Sequence, residues 1–215
     1  MLLGKLSGDV AVAEDAIKLP KPHYEGEQSL EELLRERRSI REFSDKPVTL
    51  GQLSQLLWAA QGVTTRSGLR TAPSAGALYP LELYVVAGAV SGLEPGSYHY
   101  NIAKHTLTRV AEGDRRGELA AAAFGQHVVR DAAAVVVIGA VYDRTAVKYG
   151  RRARRYVHME AGHAGQNVLL QATALGLGAT PIGAFGDAYV REVAEMEWTH
   201  EPLYLLPVGW PAGGD

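Results

Sequence analysis

The chain has 215 residues, 47% of them hydrophobic, with 22 basic and 24 acidic side chains and a formal net charge of −2. That is enough apolar material for one substantial core, so a single domain over residues 1–215 is expected, and the balanced charge gives no general attraction for nucleic acid or an anionic membrane. Zero cysteines exclude disulfides, thiolate metal sites and a cysteine nucleophile, and fit a reducing compartment.

Residues 1–24 show no firm period and close on Pro20, Pro22 and then Gly26; they read as an N-terminal arm suited to wrapping a partner. Lys5, Asp9, Glu14, Asp15 and Lys18 interrupt any apolar core of a signal peptide, and no uncharged apolar stretch reaches membrane-spanning length. The expectation is a cytoplasmic protein with no membrane partner. Ser29 with Glu32 forms a capping box, and Leu30, Leu33 and Leu34 should be the buried side of the helix it opens, which runs out at Arg37 and Arg38. Thr49 with Gln52 is a second box; Val48 against Leu53 makes a hydrophobic staple, and Leu53, Leu56, Leu57 and Ala60 carry that helix to Gly62.

A loop rich in Gly, Ser, Thr and Arg follows over residues 64–77. Residues 81–87 read as a strand buried on both faces. Pro95-Gly96 is a turn signal, after which residues 98–102 and 106–110 predict a hairpin. A short alanine-rich helix is expected over 119–124, and the strongest strand over 132–141.

Residues 151–175 predict the helix around which the rest is organised. Val157, Ala161, Ala164, Val168, Ala172 and Leu175 recur at spacings of three and four. Twenty-five residues at 1.5 Å rise make a rod of about 37 Å, the width of a small domain. Gly162 and Gly165 each cost a helix roughly 1 kcal/mol against alanine, so another backbone is expected to approach there, within the subunit or across a dimer axis. Polar Glu160, His163, Gln166 and Asn167 interrupt the apolar surface. Gly176 and Gly178 are read as left-handed caps. Residues 179–184 should be extended, Asp187 should cap a helix through Met196, and residues 203–208 form a last strand. Interspersed helices and strands with a hairpin favour an α+β fold, a mixed and largely antiparallel sheet flanked by helices.

Three stretches carry candidate chemistry. Arg37-Arg38-Ser39-Ile40-Arg41 offers three guanidiniums and a hydroxyl to a phosphate dianion. Arginines in the last turn of a helix also complement its dipole with no ligand at all, and the cluster taken alone favours that plainer account. The glycine-rich run from Gly176 to Gly186 places Pro181 where a dinucleotide fingerprint needs its third glycine, and it passes from helix to strand rather than from strand to helix. A Rossmann site is therefore rejected. A backbone able to meet a planar ligand with its amides remains, evenly balanced against an ordinary cap and turn. Residues 144–155 hold Lys148, Tyr149 and five arginines, which oppose a helix dipole unless an anion is near, although solvated side chains are the commoner explanation. Lys148 and Tyr149 are candidates for proton transfer if a pocket receives them. Glu160 with His163 and Glu197 with His200 have the Glu-x-x-His spacing of carboxylate di-iron proteins. Two further helical glutamates are not evident, so no metal is assigned and His163 is taken as structural.

Jointly these stretches resemble the nitroreductase family of FMN enzymes, in particular its SagB-type dehydrogenase branch. The resemblance rests on Arg37-Arg38-Ser39-Ile40-Arg41-Glu42-Phe43, Leu56-Leu57-Trp58-Ala59-Ala60-Gln61-Gly62, and Ala72-Pro73-Ser74-Ala75-Gly76-Ala77-Leu78-Tyr79-Pro80. It continues through Lys148-Tyr149-Gly150, Glu160-Ala161-Gly162-His163, Gln166-Asn167, Leu175-Gly176-Leu177-Gly178 and Ile182-Gly183-Ala184-Phe185, and closes with Pro202-Leu203-Tyr204 and Pro207-Val208-Gly209. The order is the family's, over roughly residues 19–210.

The resemblance implies a nitroreductase-like fold and an intertwined homodimer with active sites at its interface. It assigns Arg37, Arg38, Ser39 and Arg41 to the FMN phosphate. Pro73, Ser74, Ala75, Gly76 and Leu78 match a loop reaching the flavin from the neighbouring subunit, and Pro181, Ile182, Gly183 and Ala184 a strand whose backbone lies along the ring. Lys148 and Tyr149 match a pair implicated in substrate deprotonation in azoline-oxidising relatives. The implied activity is two-electron hydride transfer, with azoline-to-azole oxidation on a peptide as one form. The alternatives are an NAD(P)H-dependent reductase of nitro or quinone compounds, and a non-catalytic flavin-binding module in a larger complex. The pattern is broken twice. Residues 209–215 carry none of the basic residues that often complete the phosphate site, and residues 74–78 lack the asparagine of many members.

Overall fold

In the computed structural model, which describes residues 16–213, the elements follow the local signals closely. They are β1 (Ile17–Lys18), α1 (Leu30–Glu36), β2 (Val48–Thr49), α2 (Leu50–Gln61), β3 (Leu81–Ala87), β4 (Val90–Ser91), β5 (Gly96–Asn101), β6 (Thr106–Glu112) and α3 (Arg116–Ala122). Then come α4 (His127–Asp131), β7 (Ala134–Ala140), α5 (Tyr142–Tyr149), α6 (Ala153–Ala174), β8 (Gly178–Ala179), α7 (Asp187–Val193) and β9 (Glu201–Gly209). Both capping boxes close. Ser29 Oγ accepts from the Glu32 amide and Glu32 returns to the Ser29 amide, and Thr49 and Gln52 do the same.

Seven strands form one sheet in the order β1-β6-β5-β3-β7-β9-β8, with every pair antiparallel. β2 and β4 make a separate parallel pair. β3 and β7 lie at the centre, in register from Leu81 opposite Ala140 to Ala87 opposite Ala134, and are buried throughout. The pleat divides their side chains. Leu83, Val85, Val136 and Ile138 join Leu53, Leu57, Val157, Ala164 and Val168 in the core beneath α2 and α6. Tyr84, Val86, Val135 and Val137 join Leu119, Val129 and Val190 beneath α3, α4 and α7. The fold is thus α+β, a largely antiparallel sheet with helices on both faces, as the interspersed elements predict.

α6 ends as its glycine predicts. Gly176 sits at φ +69°, while Leu177 N donates to Ala172 O (2.8 Å) and Gly176 N to Thr173 O (3.0 Å), the pair of bonds of a Schellman cap. Gly178 is different from expectation. It is a β8 residue, and a Cβ there would lie 2.6 Å from Ile40 Cγ2. Other expectations are also corrected. Leu30 and Leu34 are 57% and 54% exposed, because α1 packs outside the core, where Leu30 and Leu33 line a groove with Trp58. Within the subunit the close neighbour of Gly165 is the Tyr204 ring, not a backbone, and Gly162 meets nothing within 4 Å, so of the two expected approaches it is the one inside the subunit that is corrected. Gly186, not Asp187, is the N-cap of α7, which stops at Val193. Residues 16–24 of the expected arm are tied in part by β1 pairing with β6; residues 1–15 lie outside the described residues.

Candidate functional site

The 37–41 segment and the glycine-rich strand meet. Ser39 bridges Ala179 in parallel, and Ile40 N donates to Ala179 O at 3.1 Å. That contact needs the missing Cβ of Gly178, into whose space Ile40 packs. Beyond it, Ile182 exchanges backbone bonds with Leu205 (2.8 and 3.0 Å) and turns its side chain into the core. Pro181, Gly183 and Ala184 are therefore left on the exposed side. Among the described residues the amides of Gly183 and Ala184 donate to nothing, and Arg37 and Arg41 make no ion pair. Arg38 is occupied, since its Nη1 donates to the carbonyls of Arg35 (2.7 Å) and Arg37 (2.8 Å) at the end of α1.

A second cluster forms around the 73–78 loop. Gly76, Ala77 and Tyr79 all have positive φ, at +65°, +54° and +47°. Two of the three are not glycine, so the turn is strained and must be held. Glu160 Oε1 accepts from Ala75 N at 2.8 Å, and Ser74 Oγ accepts from Tyr79 N at 2.9 Å. Arg144 donates to Tyr79 O (3.2 Å) and to Glu82 Oε1 (2.6 Å), and Arg70 stacks over the Tyr79 ring at 4.3 Å. Lys148 Nζ and Tyr149 Oη converge on Gly76, each 3.1 Å from where its Cβ would stand. The Lys148–Tyr149 pair and the loop are thus brought together in one chain. The 37–41 segment and this loop are not: among the described residues no hydrogen bond or ion pair joins them.

Two of the five arginines of 144–155 find plainer uses than an anion. Arg144 serves Glu82 and Tyr79, and Arg154 lies over the Tyr142 ring at 4.9 Å. His200, expected beside Glu197, is buried at 3% exposure with Glu82 and His99; the candidate ligand atoms of these three lie within 4.8 Å of one another. Burial works to raise the Glu82 carboxyl, but the His99 hydrogen bond and Arg144 outweigh it and hold it below its ordinary value. Burial keeps His200 below its own, and Tyr84 Oη bonds its Nδ1 at 2.8 Å. With Arg144 already on the carboxylate, the cluster is satisfied as an ion-pair network.

Sequence reasoning missed one feature here. Tyr142, Arg154, His158 and Gly183 line a cleft of about 400 Å³, in which Tyr142 Oη and His158 Nε2 lie 2.6 Å apart. Sixteen residues separate that pair, so no local spacing announces it. Burial raises the Tyr142 phenol above its ordinary value, against Arg154.

Residues 34–210 match the pattern of the Nitroreductase family. A Methanocaldococcus jannaschii protein named as a nitroreductase is 46% identical over 195 residues, 91% of this chain and 97% of its own. A nitroreductase structure from Ralstonia eutropha superposes with a TM-score of 0.81 at 30% identity, over 95% of this chain and 93% of the other. One from Anabaena variabilis also gives 0.81, at 31% identity over 97% of this chain, which spans 45% of that longer protein. The E. coli microcin synthetase McbBCD complex with truncated pro-MccB17 bound gives 0.73 at 25% identity, over 84% of this chain and 71% of the other. The trifolitoxin-processing protein TfxB of Rhizobium leguminosarum is 26% identical over 60% of this chain and 36% of its own.

Proposed function

The chain belongs to the nitroreductase family, and we propose that within it this protein is an FMN-dependent oxidoreductase of the SagB-type dehydrogenase branch, moving two electrons as a hydride. The observation that carries this reading is the junction of the 37–41 segment with the strand holding Gly183 and Ala184. Cations and a hydroxyl stand at one end and unpartnered amides on a flat, exposed backbone at the other, which is the chemistry a phosphate tail and a planar ring require. Arg37, Ser39 and Arg41 would take the phosphate. Arg38 would join them by releasing its two carbonyls, and the amides of Gly183 and Ala184 would favour the electron-rich form of the ring. Bound FMN supplies the two-electron chemistry.

The 73–78 loop with Lys148 and Tyr149 has the character of the other half of the site. A second copy of the chain would bring it onto the first half, which makes the working form a homodimer. The exposed Leu30 in the Trp58 groove and the exposed Leu34 on the same helix support such an interface. In azoline oxidation the hydride leaves one ring carbon and a proton leaves its neighbour; Lys148 or Tyr149 would take that proton. Likeness to TfxB and to McbBCD supports this substrate class.

A second reading, reduction of nitro or quinone compounds with NAD(P)H as donor, is favoured by the higher identity to the M. jannaschii nitroreductase; it needs no protein acid, since solvent supplies protons. A non-catalytic flavin-binding module is the third. An absorption spectrum of the purified protein, FMN titration and anaerobic addition of NADPH separate them. Bound flavin bleached by NADPH supports the reductase, flavin bleached only with an azoline peptide supports the dehydrogenase, and flavin reduced by neither leaves the module. Folded protein that is colourless, monomeric and gives no heat with FMN refutes all three.

A further inference from the structure

Two polar side chains on one face of α6, Glu160 and Asn167, tie that helix to α2 and to the loop beyond it. Glu160 and Asn167 are seven residues apart and so share a face. Asn167 Nδ2 donates to Ala59 O (3.0 Å) and Thr71 O (3.5 Å), at the near end of the loop, while Glu160 receives the Ala75 amide at 2.8 Å in its middle. Glu160 is 4% exposed, and the nearby Ser74 hydroxyl, whose oxygen accepts from Tyr79 N, favours its charged form. One carboxylate thereby fixes residue 75 directly, next to the Ser74 that holds the Tyr79 amide. Residues 74–79 include the three residues of positive φ, and Gly76 at their centre is the floor under Lys148 Nζ and Tyr149 Oη.

We propose that Glu160 is a positioning residue, the anchor by which the central helix sets the strained 74–79 loop and, through Gly76, the Lys148–Tyr149 pair. A loop with left-handed alanine and tyrosine relaxes once its tether is cut, because each such residue gains by returning to negative φ. A carboxamide preserves the tether, since its oxygen still accepts from Ala75 N. An alanine removes it while leaving the helix intact, alanine being the best helix former. The anchoring itself stands without any cofactor; its consequence for flavin rests on the reading above.

The experiment is amide hydrogen exchange by NMR on the full-length protein without FMN, comparing wild type with Glu160→Gln and Glu160→Ala. Exchange at Ala75 and Tyr79 is expected to accelerate on the order of tenfold in Glu160→Ala, the loss of a bond to a charged acceptor, and to stay within about threefold of wild type in Glu160→Gln. Unchanged exchange at both amides in Glu160→Ala overturns the proposal, as does equal acceleration in Glu160→Gln. Should Glu160→Ala fail to fold, Glu160→Met, which keeps volume and helix propensity but offers no oxygen, is read instead and must accelerate Ala75. A parallel FMN titration is expected to show affinity about tenfold weaker in Glu160→Ala and restored in Glu160→Gln. Faster exchange with unchanged FMN affinity upholds the anchor and removes the loop from the flavin site.

Discussion

Gly178→Ala tests the junction on which the cofactor reading stands. The added methyl carbon would sit 2.6 Å from Ile40 Cγ2 and 2.7 Å from Ile40 Cβ. The second of these atoms is fixed to the main chain, so no rotamer change relieves the contact and the 39–41 backbone must move away from β8. Overpacking of this kind costs about 1–3 kcal/mol. For a domain of this size each kcal/mol lowers Tm by about 2–4 °C, so a fall of roughly 2–12 °C is expected in thermal unfolding followed by circular dichroism. The same displacement pulls Ser39 from Ala179 and carries Arg37 and Arg41 with it, so FMN affinity should fall as well. Gly117→Ala is the matched control. That glycine lies inside α3 at a negative φ with nothing within 4 Å of its Cβ position, and alanine there should stabilise by up to about 1 kcal/mol. Identical chemistry should therefore give opposite signs at the two positions. An unchanged Tm in Gly178→Ala, or a loss equal to that in Gly117→Ala, would refute the reasoning.

Gly162→Ala adds a methyl to α6 where the single chain leaves open space; it should stabilise an isolated subunit by about 1 kcal/mol, whereas weaker self-association in sedimentation would show that a second copy closes on that surface. Arg41→Ala should weaken FMN binding by about tenfold, with the loss shrinking as salt is raised; isothermal titration at two ionic strengths reads this, and equal affinity at both would move the phosphate elsewhere. Lys148→Ala should lower turnover of an azoline peptide while sparing FMN affinity, and loss of flavin instead would reassign Lys148 to the cofactor. Burial raises the Glu160 carboxyl above its ordinary value, against the Ala75 and Ser74 hydrogen bonds, with His163 and Arg70 the charged groups facing it. Its contribution to stability is thus complete below about pH 4.5 and is lost as pH rises through the elevated value. Glu160→Gln does not titrate, so its Tm relative to wild type should climb between pH 4.5 and 7.5; a relative Tm that falls over that interval would mean the hydrogen bonds, not burial, dominate.

The two halves of the candidate site differ in how far the chain announces them. The 37–41 and 176–186 stretches stand out as a basic run and a glycine run, yet nothing local says that they touch. Gly178 shows why. Its role is to admit Ile40, a residue 138 positions away in sequence, so the glycine that reads as a helix cap is a packing residue. Glu160 was visible as one member of a Glu-x-x-His pair, and its true partner is the Ala75 amide. His200 keeps its sequence neighbour Glu197, with Nε2 3.6 Å from Oε2, and adds Tyr84, Glu82 and His99, which no local spacing announces.

Short-range chemistry settled what was legible in the amino acids alone. Capping boxes at Ser29 and Thr49 and the Gly176 cap involve hydrogen bonds across three to five residues, and the helical period that marks α6 and the apolar runs that mark β3 and β7 lie within single segments. The strand order β1-β6-β5-β3-β7-β9-β8, the exposed leucines of α1, the Tyr142–His158 pair and the grip of α6 on the 71–79 loop were decided only by tertiary structure. Each depends on which surfaces meet after the chain has closed on itself, and that outcome is set by the packing of the whole core rather than by any stretch within it.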